Sequence, residues 1–320
     1  MKDEVKTRKD FDIDLVYTWV DGNDAEWRRR RDAVSGKPDE RVGENCEGRY
    51  ADNDELKYSL RSAELYAPWI RRIHIVTDRQ VPAWLNTDHP KINIVDHSEI
   101  LPAEALPTFN SNVIEHALHR IPRLAERFLY ANDDMFFNRE VTPADFFTSA
   151  GLPIVRIIHR PARRFTLWLK KYIQRKPISH YNQALHNAAK LIESKFGKYI
   201  GSKPHHNIDA YNKSEYEHCY NLFEKEISPT LTNHIRNDND VQRVIYSYLP
   251  IVEKKCRMVF ADRQTSFRLH THRHHHYGKL ERCNPMLFCV NDSEYAGEAD
   301  REFAKKFLSS RFPNKSSFEK

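Results

Sequence analysis

In Phe128-Leu129-Tyr130-Ala131-Asn132-Asp133-Asp134-Met135-Phe136-Phe137, an apolar run leads into two adjacent carboxylates and then becomes apolar again. This pattern is typical of a buried strand whose carboxyl end carries Asn132, Asp133 and Asp134. Two carboxylates in so apolar a neighbourhood are costly to desolvate unless they are paired or bound to a metal. Mg2+ prefers such oxygen ligands, often together with substrate phosphates. The stretch therefore predicts a metal site; the alternative is a polar turn that caps the next helix.

Two further runs have the same design. Residues 14–20 are apolar and rich in strand-forming residues, and they end at Asp21-Gly22. Residues 73–77 form another such run, which ends at Asp78. In open α/β sheets, ligands bind at the carboxyl ends of the strands. Although Asp is common in turns, three strands that end in Asp predict one site that handles a charged substrate.

Composition limits the class of protein. The 320 residues carry 51 basic and 45 acidic side chains, so the net charge is +6. No run of about 18 apolar residues occurs, which argues against a transmembrane helix. The polar N-terminus lacks the apolar core of a signal peptide. We therefore expect a cytoplasmic protein whose positive charge favours peripheral association with the inner membrane face. No basic stripe alternates with aromatics, so we expect no nucleic-acid partner.

The five cysteines are few and irregularly spaced, and no CxxC pair occurs. A zinc ribbon is therefore not expected, and reduced thiols are the default in the cytoplasm. A histidine run also attracts attention, but it lacks accompanying cysteines or a helical HExxH, so we interpret it as a solvated loop with adventitious metal affinity. The run consists of His270, His272, His274, His275 and His276.

Strands that alternate with helices indicate an α/β core at residues 11–150. Within it we predict helices at 55–66 and 111–121, the second with Ser111 as its N-cap. Residues 162–260 are rich in Lys, His, Tyr and Asn, and we predict a mostly helical region at 151–260. The predicted fold is a Rossmann-like, mostly parallel sheet with this helical region covering its carboxyl edge. Residues 261–320 are expected to pack back on the core as part of one catalytic unit, with a helix from about 297 and a frayed, Lys- and Ser-rich end.

Several segments resemble the Stealth family. The run Tyr17-Thr18-Trp19-Val20-Asp21-Gly22 is similar to its first block. The second block is longer and is matched at many positions, which are Arg49-Tyr50, Asp52-Asn53, Glu55-Leu56, Tyr58 to Ser62, Ala67 to Trp69, Ile75 to Thr77, Pro82 to Leu85, Leu106 to Phe109, Ser111, Ile114-Glu115 and Tyr130 to Phe136.

The later blocks are shorter. His206-Asn207-Ile208-Asp209 resembles the histidine segment of the third block, although His205 makes that assignment ambiguous by one position. Residues 236–242, which begin at Arg236, resemble its arginine-acidic segment. The run Cys289-Val290-Asn291-Asp292 resembles the fourth block. The resemblance spans residues 11–292, most of the chain.

The family includes bacterial capsular-polysaccharide sugar-phosphate transferases and the α/β subunits of the animal N-acetylglucosamine-1-phosphotransferase. The resemblance implies transfer of a sugar 1-phosphate from a UDP-sugar to an acceptor hydroxyl of a glycan or glycoconjugate. The product is a phosphodiester, UMP leaves, and the divalent cation is Mg2+ or Mn2+. It also implies that the sheet binds the nucleotide sugar, and that the pathway is capsular or cell-surface polysaccharide synthesis.

Phosphoryl transfer needs charge neutralisation, positioning and a proton acceptor. Asp134, with Asp133 as second choice, is the predicted metal ligand, and Asn132 would orient a carboxylate or a phosphate. The resemblance places Ser111 against the nucleotide sugar and Glu115 near the reacting centre. The alternative for these two residues is an ordinary capping arrangement or a solvated face.

His206 is the predicted general base or acid, because imidazole titrates near neutral pH. Arg236 is the predicted clamp on the diphosphate; its alternative is a surface salt bridge with Asp238 or Asp240. The predicted lining of the nucleotide or sugar pocket consists of Trp19, Asp21, Gly22, Asp52 and Asn53, although Trp19 in a strand also fits the core.

Two other classes of function stay open. A metal-dependent glycosyltransferase that uses a UDP-sugar would need a similar sheet and similar carboxylates. Only the sugar-1-phosphate transferase would leave a phosphodiester and release UMP instead of UDP. A lectin-like or scaffold protein is the third alternative, and the presence of Asp133, Asp134, Glu115 and Arg236 argues against it.

Overall fold

The computed structural model describes residues 11–35 and 53–320 of the chain. The predictions that concern residues 1–10 and 36–52, among them the role of Asp52, lie outside the described residues. So do Cys46 and the part of the second family-like block at Arg49-Tyr50.

The described residues form eleven strands. Five of them make the central sheet, and two sets of three make two smaller sheets. The strands are β1 (Ile13–Thr18), β2 (Ile73–Thr77), β3 (Ile92–Asp96), β4 (Arg127–Asn132), β5 (Met135–Phe137), β6 (Ile154–Ile158), β7 (Lys203–Pro204), β8 (Asp209–Asn212), β9 (Arg257–Phe260), β10 (Ser266–His270) and β11 (Leu287–Asn291).

The central sheet has the order β3-β2-β1-β4-β8. Its first four strands are parallel, and β8 runs antiparallel at the edge beside β4. β1 lies in the middle, with Val16 opposite His74 on one side and Tyr130 on the other. The carboxyl ends of β1, β2 and β4 therefore lie at one edge of the sheet. This confirms the predicted Rossmann-like, mostly parallel α/β fold.

Alternate side chains of the central strands enter two separate cores, as the two-residue period of a strand requires. Val16 packs in one core with Phe128 and Tyr130. Leu15 packs in the other core with Leu129. All five of these side chains are fully buried. Both faces of the sheet are thus covered, which is why its strands read as continuous apolar runs in the sequence.

Helices cover both faces. The predicted helix at 55–66 is confirmed, whereas the predicted helix at 111–121 is shorter: it ends at His116 and is followed by a 3-10 turn at Leu118–Arg120. The helices are α1 (Ala25–Ser35), α2 (Glu55–Tyr66), α3 (His97–Ile100), α4 (Ser111–His116), α5 (Arg163–Trp168), α6 (His180–Phe196), α7 (Lys213–Leu222), α8 (Glu224–Leu231), α9 (Ile245–Val252), α10 (His275–Cys283) and α11 (Glu298–Arg311).

The N-cap of α4 is Asn110, not Ser111, so that prediction is wrong. The Asn110 side chain accepts a hydrogen bond from the amide of Asn112. Its amide nitrogen also donates to the buried carboxylate of Asp240, at 2.8 Å. Asn and Ser are equally good caps, and this second, long-range partner explains why Asn110 is used. Ser111 is left in the first turn of the helix.

The second half of the chain contains more strand than predicted. β6 and β9 pair in one small sheet, and β8 extends the central sheet. The prediction of a mostly helical region at 151–260 is correct for α5 to α9 but misses these strands. The predicted helix from about 297 is confirmed as α11. The predicted frayed end is wrong, because Phe318 and Glu319 are buried.

Candidate active site

A cavity of about 340 Å³ lies at the carboxyl edge of the central sheet. Thr18, Trp19 and Val20 line it from the end of β1, and Asn132, Asp133 and Asp134 line it from the end of β4. Neighbouring parallel strands bring these two chain segments together, since Thr18 is directly opposite Asn132 in the register. This is the edge at which α/β sheets bind their ligands.

Asp133 and Asp134 form the turn between β4 and β5. The carbonyl oxygen of Asp134 accepts a hydrogen bond from the amide of Val290, at 2.9 Å. β5 pairs antiparallel with β11, with Met135 opposite Cys289. That pairing places the Cys289 thiol 3.2 Å from the Asp134 carboxylate, to which it donates a hydrogen bond. The turn is therefore held in place by a second sheet.

Asp134, His206 and Cys289 each offer a ligand atom, and these atoms lie within 4.8 Å of one another. Burial, and then the nearby Asp134 carboxylate, raise the pKa of the Cys289 thiol well above its usual value. A protonated thiol is a poor ligand for a hard cation, whereas carboxylate and imidazole bind divalent metals well. Asp133 adds a second carboxylate to the same cavity. The carboxylates of Asp134 and Asp133 thus fit a divalent cation, and His206 lies close enough to act beside it.

His206 faces this cavity, and His205 does not. The His205 side chain is buried beside β8, with Nε2 at 3.0 Å from the Asp209 carboxylate. His206 has a φ of 56°, in the left-handed region that few side chains other than Asn, Asp and His adopt. This backbone conformation lets adjacent histidines point to different places. The geometry therefore favours His206 over His205 as the functional residue.

Arg236 lines the cavity and donates a hydrogen bond to the hydroxyl of Ser111, at 3.3 Å. Neither of its predicted alternative partners is used. Asp240 is buried and accepts from side chains of the α4 cap, and Asp238 lies 2.7 Å from a nitrogen of His180. Arg236 and Ser111 are thus brought together at the cavity.

Glu115 lies behind the cavity wall. Its carboxylate is buried, within 3.1 Å of the Tyr130 hydroxyl and 3.7 Å of Nε of Arg243. The same Tyr130 hydroxyl lies 2.9 Å from Asn132, a residue of the wall. Burial raises the pKa of Glu115 above its ordinary value, and the guanidinium of Arg243 offsets this only in part. Glu115 is therefore one hydrogen-bonded side chain removed from the cavity.

The remaining predicted pocket residues differ in position. Trp19 is both a core residue and a pocket residue, since it is only 6% exposed and also lines the cavity. Asp21 and Gly22 form the turn that follows, where the Asp21 amide donates to Gln80 at 2.9 Å. Asn53 donates to the carboxylate of Glu55, which does line the cavity. Three strands, β1, β2 and β4, are followed by Asp residues, and of these only the carboxylates after β4 line the cavity. Asp78, which follows β2, instead pairs with Arg30 at 2.8 Å.

Sequence reasoning missed several cavity residues. Asn291 and Asp292 lay in the fourth family-like block without an assigned role, and β11 carries them to the wall. Tyr181 and Arg268 also line the cavity, from α6 and β10. No local pattern in the sequence marks these two, because only the tertiary fold brings them to the sheet edge. The histidine run lies elsewhere, at the end of β10 and the start of α10, where His274 lies 2.8 Å from Asp300.

The fold and the cavity define an α/β protein with carboxylates, a histidine and an arginine at the carboxyl edge of a mostly parallel sheet. Comparison with known sequences narrows this class. Residues 11–39 match Stealth protein CR1, conserved region 1, and residues 49–155 match Stealth protein CR2, conserved region 2.

Named relatives agree with this match. Exopolysaccharide phosphotransferase cps2G of Lactiplantibacillus plantarum is 31% identical over 340 residues, which cover 97% of each chain. Exopolysaccharide phosphotransferase SCO6023 of Streptomyces coelicolor is 38% identical over 97% of this chain, which spans only 53% of that relative's length. Capsular polysaccharide phosphotransferase LcbA of Aeromonas hydrophila is 38% identical over 72% of this chain and 63% of its own. The chain therefore belongs to the Stealth family.

Similarity to solved structures is weak. A galactosyltransferase, LgtC, in complex with donor and acceptor sugar analogues aligns over 95% of this chain and 96% of its own, with 12% identity and a TM-score of 0.47.

Proposed function

We propose that this protein is a transferase that moves a sugar 1-phosphate, of an N-acetylhexosamine or a hexose, from a UDP-sugar to an acceptor hydroxyl in capsular or cell-surface polysaccharide synthesis. One observation carries the proposal: a single cavity at the carboxyl edge of the sheet is lined by a carboxylate pair, a histidine and an arginine. Phosphoryl transfer needs such a combination of metal ligands, proton acceptor and anion clamp. Membership of the Stealth family supports the same reaction class.

In the proposed reaction, the acceptor oxygen attacks the β-phosphorus of the donor. The bond between that phosphorus and the oxygen bridging to the α-phosphate breaks, and UMP leaves. The sugar keeps its bond to the β-phosphate, so the product is a phosphodiester. A divalent cation, Mg2+ or Mn2+, held by Asp134 with Asp133 nearby, would neutralise charge on the diphosphate.

The chain's own residues supply the other parts. Arg236, positioned by Ser111, donates to the diphosphate and stabilises charge on the leaving UMP. His206 accepts the acceptor proton or steadies the transferred phosphoryl group, with Glu115 as the second candidate for proton acceptor because its pKa is raised by burial. Trp19 would contact the nucleotide; it lines the cavity, and its buried indole nitrogen finds no acceptor among the described residues.

Two experiments test the proposal. Incubation with a panel of UDP-sugars, an acceptor glycan and Mg2+ or Mn2+ should yield UMP and a phosphodiester resonance in phosphorus NMR. Release of UDP instead would support the alternative, a metal-dependent glycosyltransferase. An Asp134→Asn variant should lose nearly all turnover while its circular dichroism spectrum is unchanged; full activity of that variant, or of wild type in excess EDTA, would contradict the metal role.

We also propose that the protein works at an anionic membrane surface. No helix among the described residues is long and apolar enough to cross a membrane. A surface helix could instead bind to a membrane surface. On α5 and the π-helical turn after it, Phe165, Trp168 and Tyr172 are 60%, 48% and 60% exposed. Aromatic side chains beside lysines and arginines favour the interface of anionic lipids.

A further inference from the structure

We propose that a cation-lined groove, which leads from the catalytic cavity to the N-terminal end of α5, binds phosphate groups of an acceptor that already carries phosphodiesters. The basic groove is defined by Arg268, Arg263, Lys203, Arg160, Arg163 and Lys170. This inference rests on the proposed function, whose acceptor class it narrows.

The groove adjoins the catalytic cavity, since successive cavities share lining residues. A second cavity, of about 390 Å³, shares Tyr181 and Arg268 with the catalytic one. A third, of about 450 Å³, shares Arg160 and Lys203 with the second. In this proposal, a flexible ligand whose end is at the reacting centre runs past Tyr181 and along both further cavities.

Among the described residues that line this path, six cations face one carboxylate. The lining carboxylate is Asp262, whose oxygen accepts hydrogen bonds from the hydroxyl and amide of Thr265 and the amide of Gln264 in its own turn. The surrounding sequence has the same bias: residues 146–192 contain no Asp or Glu. They contain nine basic residues, which are Arg156, Arg160, Arg163, Arg164, Lys170, Lys171, Arg175, Lys176 and Lys190.

Two groove cations are held close together by one residue. Lys203 donates to the side-chain oxygen of Asn182 at 2.9 Å, and Arg163 donates to the backbone oxygen of Asn182 at 3.0 Å. Burial, followed by the nearby Arg163, Arg268 and Arg160, lowers the pKa of Lys203 to about 8. Cations that crowd together in this way are stabilised when an anion binds between them.

Arg163 points to a ligand most directly. It is only 4% exposed, and its Nε and Nη1 atoms find no acceptor among the described residues. Buried guanidinium nitrogens are costly when unpaired, and a phosphate is the group whose geometry matches them. We therefore assign this end of the groove to a phosphate.

The proposed reaction explains why an acceptor would bring phosphates here. Each transfer leaves a phosphodiester in the product. When the product is the next acceptor, its terminal hydroxyl lies at the reacting centre and its earlier phosphodiesters lie further along the chain. A groove that leads away from the cavity and is lined by cations fits such a polyanionic acceptor better than a neutral glycan.

The test uses the full chain and short-chain inorganic polyphosphate carrying a fluorescent label, followed by anisotropy. The variant Arg160→Gln/Lys203→Gln should bind the probe about tenfold or more weakly, since charge-assisted hydrogen bonds are lost. The control Lys171→Gln/Lys190→Gln removes the same charge outside the groove lining and should stay within about twofold. UDP affinity should be unchanged in both. Equal weakening in both variants, or no binding by wild type, would overturn the assignment.

Three further measurements test whether the variant is folded and whether the groove binds lipid headgroups or neutral glycans instead. Arg160→Gln alone, at an exposed residue, should weaken the probe complex with a wild-type circular dichroism spectrum. If the groove variant loses binding to phosphatidylglycerol vesicles but keeps polyphosphate binding, the groove serves lipid headgroups and the inference fails. A short neutral dextran should not compete with the probe, and competition would also overturn the inference.

Turnover distinguishes this inference from the proposed function. With a phosphodiester-bearing acceptor, the groove variant should show a raised acceptor KM and an unchanged donor KM. If the groove variant releases UMP and its acceptor KM equals that of wild type, the groove does not bind the acceptor, and the proposed function still stands. Groove-dependent polyphosphate binding without any UMP release would remove the proposed function and leave the anion site intact.

Discussion

His206 and Arg236 reach the cavity from loops outside the central sheet, yet they serve different parts of one charge distribution. His206 lies beside the Asp134 carboxylate, whereas Arg236 lies beside Ser111 at the start of α4. The first position suits a group that handles the reacting phosphoryl and the acceptor proton. The second suits a clamp on the diphosphate. Their removal should therefore have different kinetic effects.

Replacement of His206 should depress kcat with donor binding retained. We expect His206→Asn to lower kcat about a hundredfold or more, the usual contribution of general acid-base catalysis. Asn is the informative substitution, because it tolerates the left-handed backbone at this residue. Steady-state kinetics and calorimetric titration with UDP measure the two quantities. An unchanged kcat would transfer the proton-acceptor role to Glu115.

Replacement of Arg236 should weaken the donor complex and slow turnover together. Loss of hydrogen bonds to a charged ligand costs about 1.5–3 kcal/mol, so Arg236→Met should raise the Kd of the UDP-sugar about tenfold to a hundredfold. Ser111→Ala serves as a graded control, since it removes only the hydroxyl that positions the guanidinium. A variant that binds the donor as tightly as wild type would rule out the clamp.

Asp14, on β1, supports the fold and not the chemistry. Its buried carboxylate accepts hydrogen bonds from Arg71 at 2.8 and 2.7 Å, from His74 at 3.1 Å and from the Ala125 amide at 2.8 Å. Burial by itself would raise the pKa of Asp14, but the bonds from His74 and Arg71 outweigh it and hold the pKa below its usual value. The charged form is therefore the one that stabilises the folded state.

This carboxylate should make stability depend on acid. Because the folded-state pKa is lowered, its contribution is fully present above the unfolded value of about 4 and is lost as pH falls through the folded value. Asp14→Asn should cost about 3 kcal/mol near neutral pH and flatten the acid dependence of the free energy of unfolding. Asp12→Asn is the matched control, since that side chain is 75% exposed and 3.7 Å from Arg71. Equal urea-denaturation midpoints for both variants would contradict this.

The elements that the sequence predicts well are those buried on both faces. β1, β2 and β4 are continuous apolar runs that end at polar residues, so the sequence indicates both the length and the ends of each strand. β7 and β9 give no such signal, because β7 is two residues long and three of the four residues of β9 are exposed. Their pairing with β6 depends on tertiary contacts that no local pattern encodes.

The candidate site follows the same rule. The turn at Asp133 and Asp134 is visible in the sequence because carboxylates interrupt an apolar run. The buried cluster of Glu115, Asp209 and Arg243 behind that turn is not visible in the sequence. Arg243 lies 128 residues after Glu115 along the chain and 34 residues after Asp209. Arg243 nonetheless donates to Asp209 at 2.9 Å and lies over the ring of Tyr130. A charge network of this kind appears only when the fold is known.

The exposed aromatic helix gives a prediction about membranes. Phe165 stacks on Trp168 at 6.0 Å between ring centroids, and Trp168 lies 6.1 Å from Tyr172, so the three rings form one surface stripe. Replacement of all three by Ser should reduce binding to phosphatidylglycerol vesicles about tenfold or more, because interfacial burial of aromatic area is lost. Co-sedimentation at low and physiological salt measures this. Binding equal to wild type, or a preference for neutral phosphatidylcholine, would contradict membrane docking through this helix.

At the scale of the whole molecule, the last residues of the chain are bound to the helix that begins at the active site. Nε and Nη2 of Arg61, on α2, donate to the two carboxylate oxygens of Glu319, each at 2.7 Å. Phe318 packs in the core beneath α2. The first residue of α2, Glu55, lines the catalytic cavity. The C-terminal segment and the site therefore share one structural element.

This arrangement predicts that the C-terminal segment unfolds together with the catalytic core. Glu319→Gln leaves Arg61 without its charged partner in a largely buried position, and we expect a loss of about 3 kcal/mol. If residues 261–320 belong to one cooperative unit, the variant should shift a single transition, and circular dichroism and tryptophan fluorescence should give the same midpoint. Glu302→Gln is the control, because its pair with Lys306 spans 3.7 Å between exposed side chains and should change stability by less than about 1 kcal/mol. A separate early transition that only Glu319→Gln moves would show that the C-terminal segment unfolds by itself, and in that case catalysis would survive at temperatures where the segment has already melted.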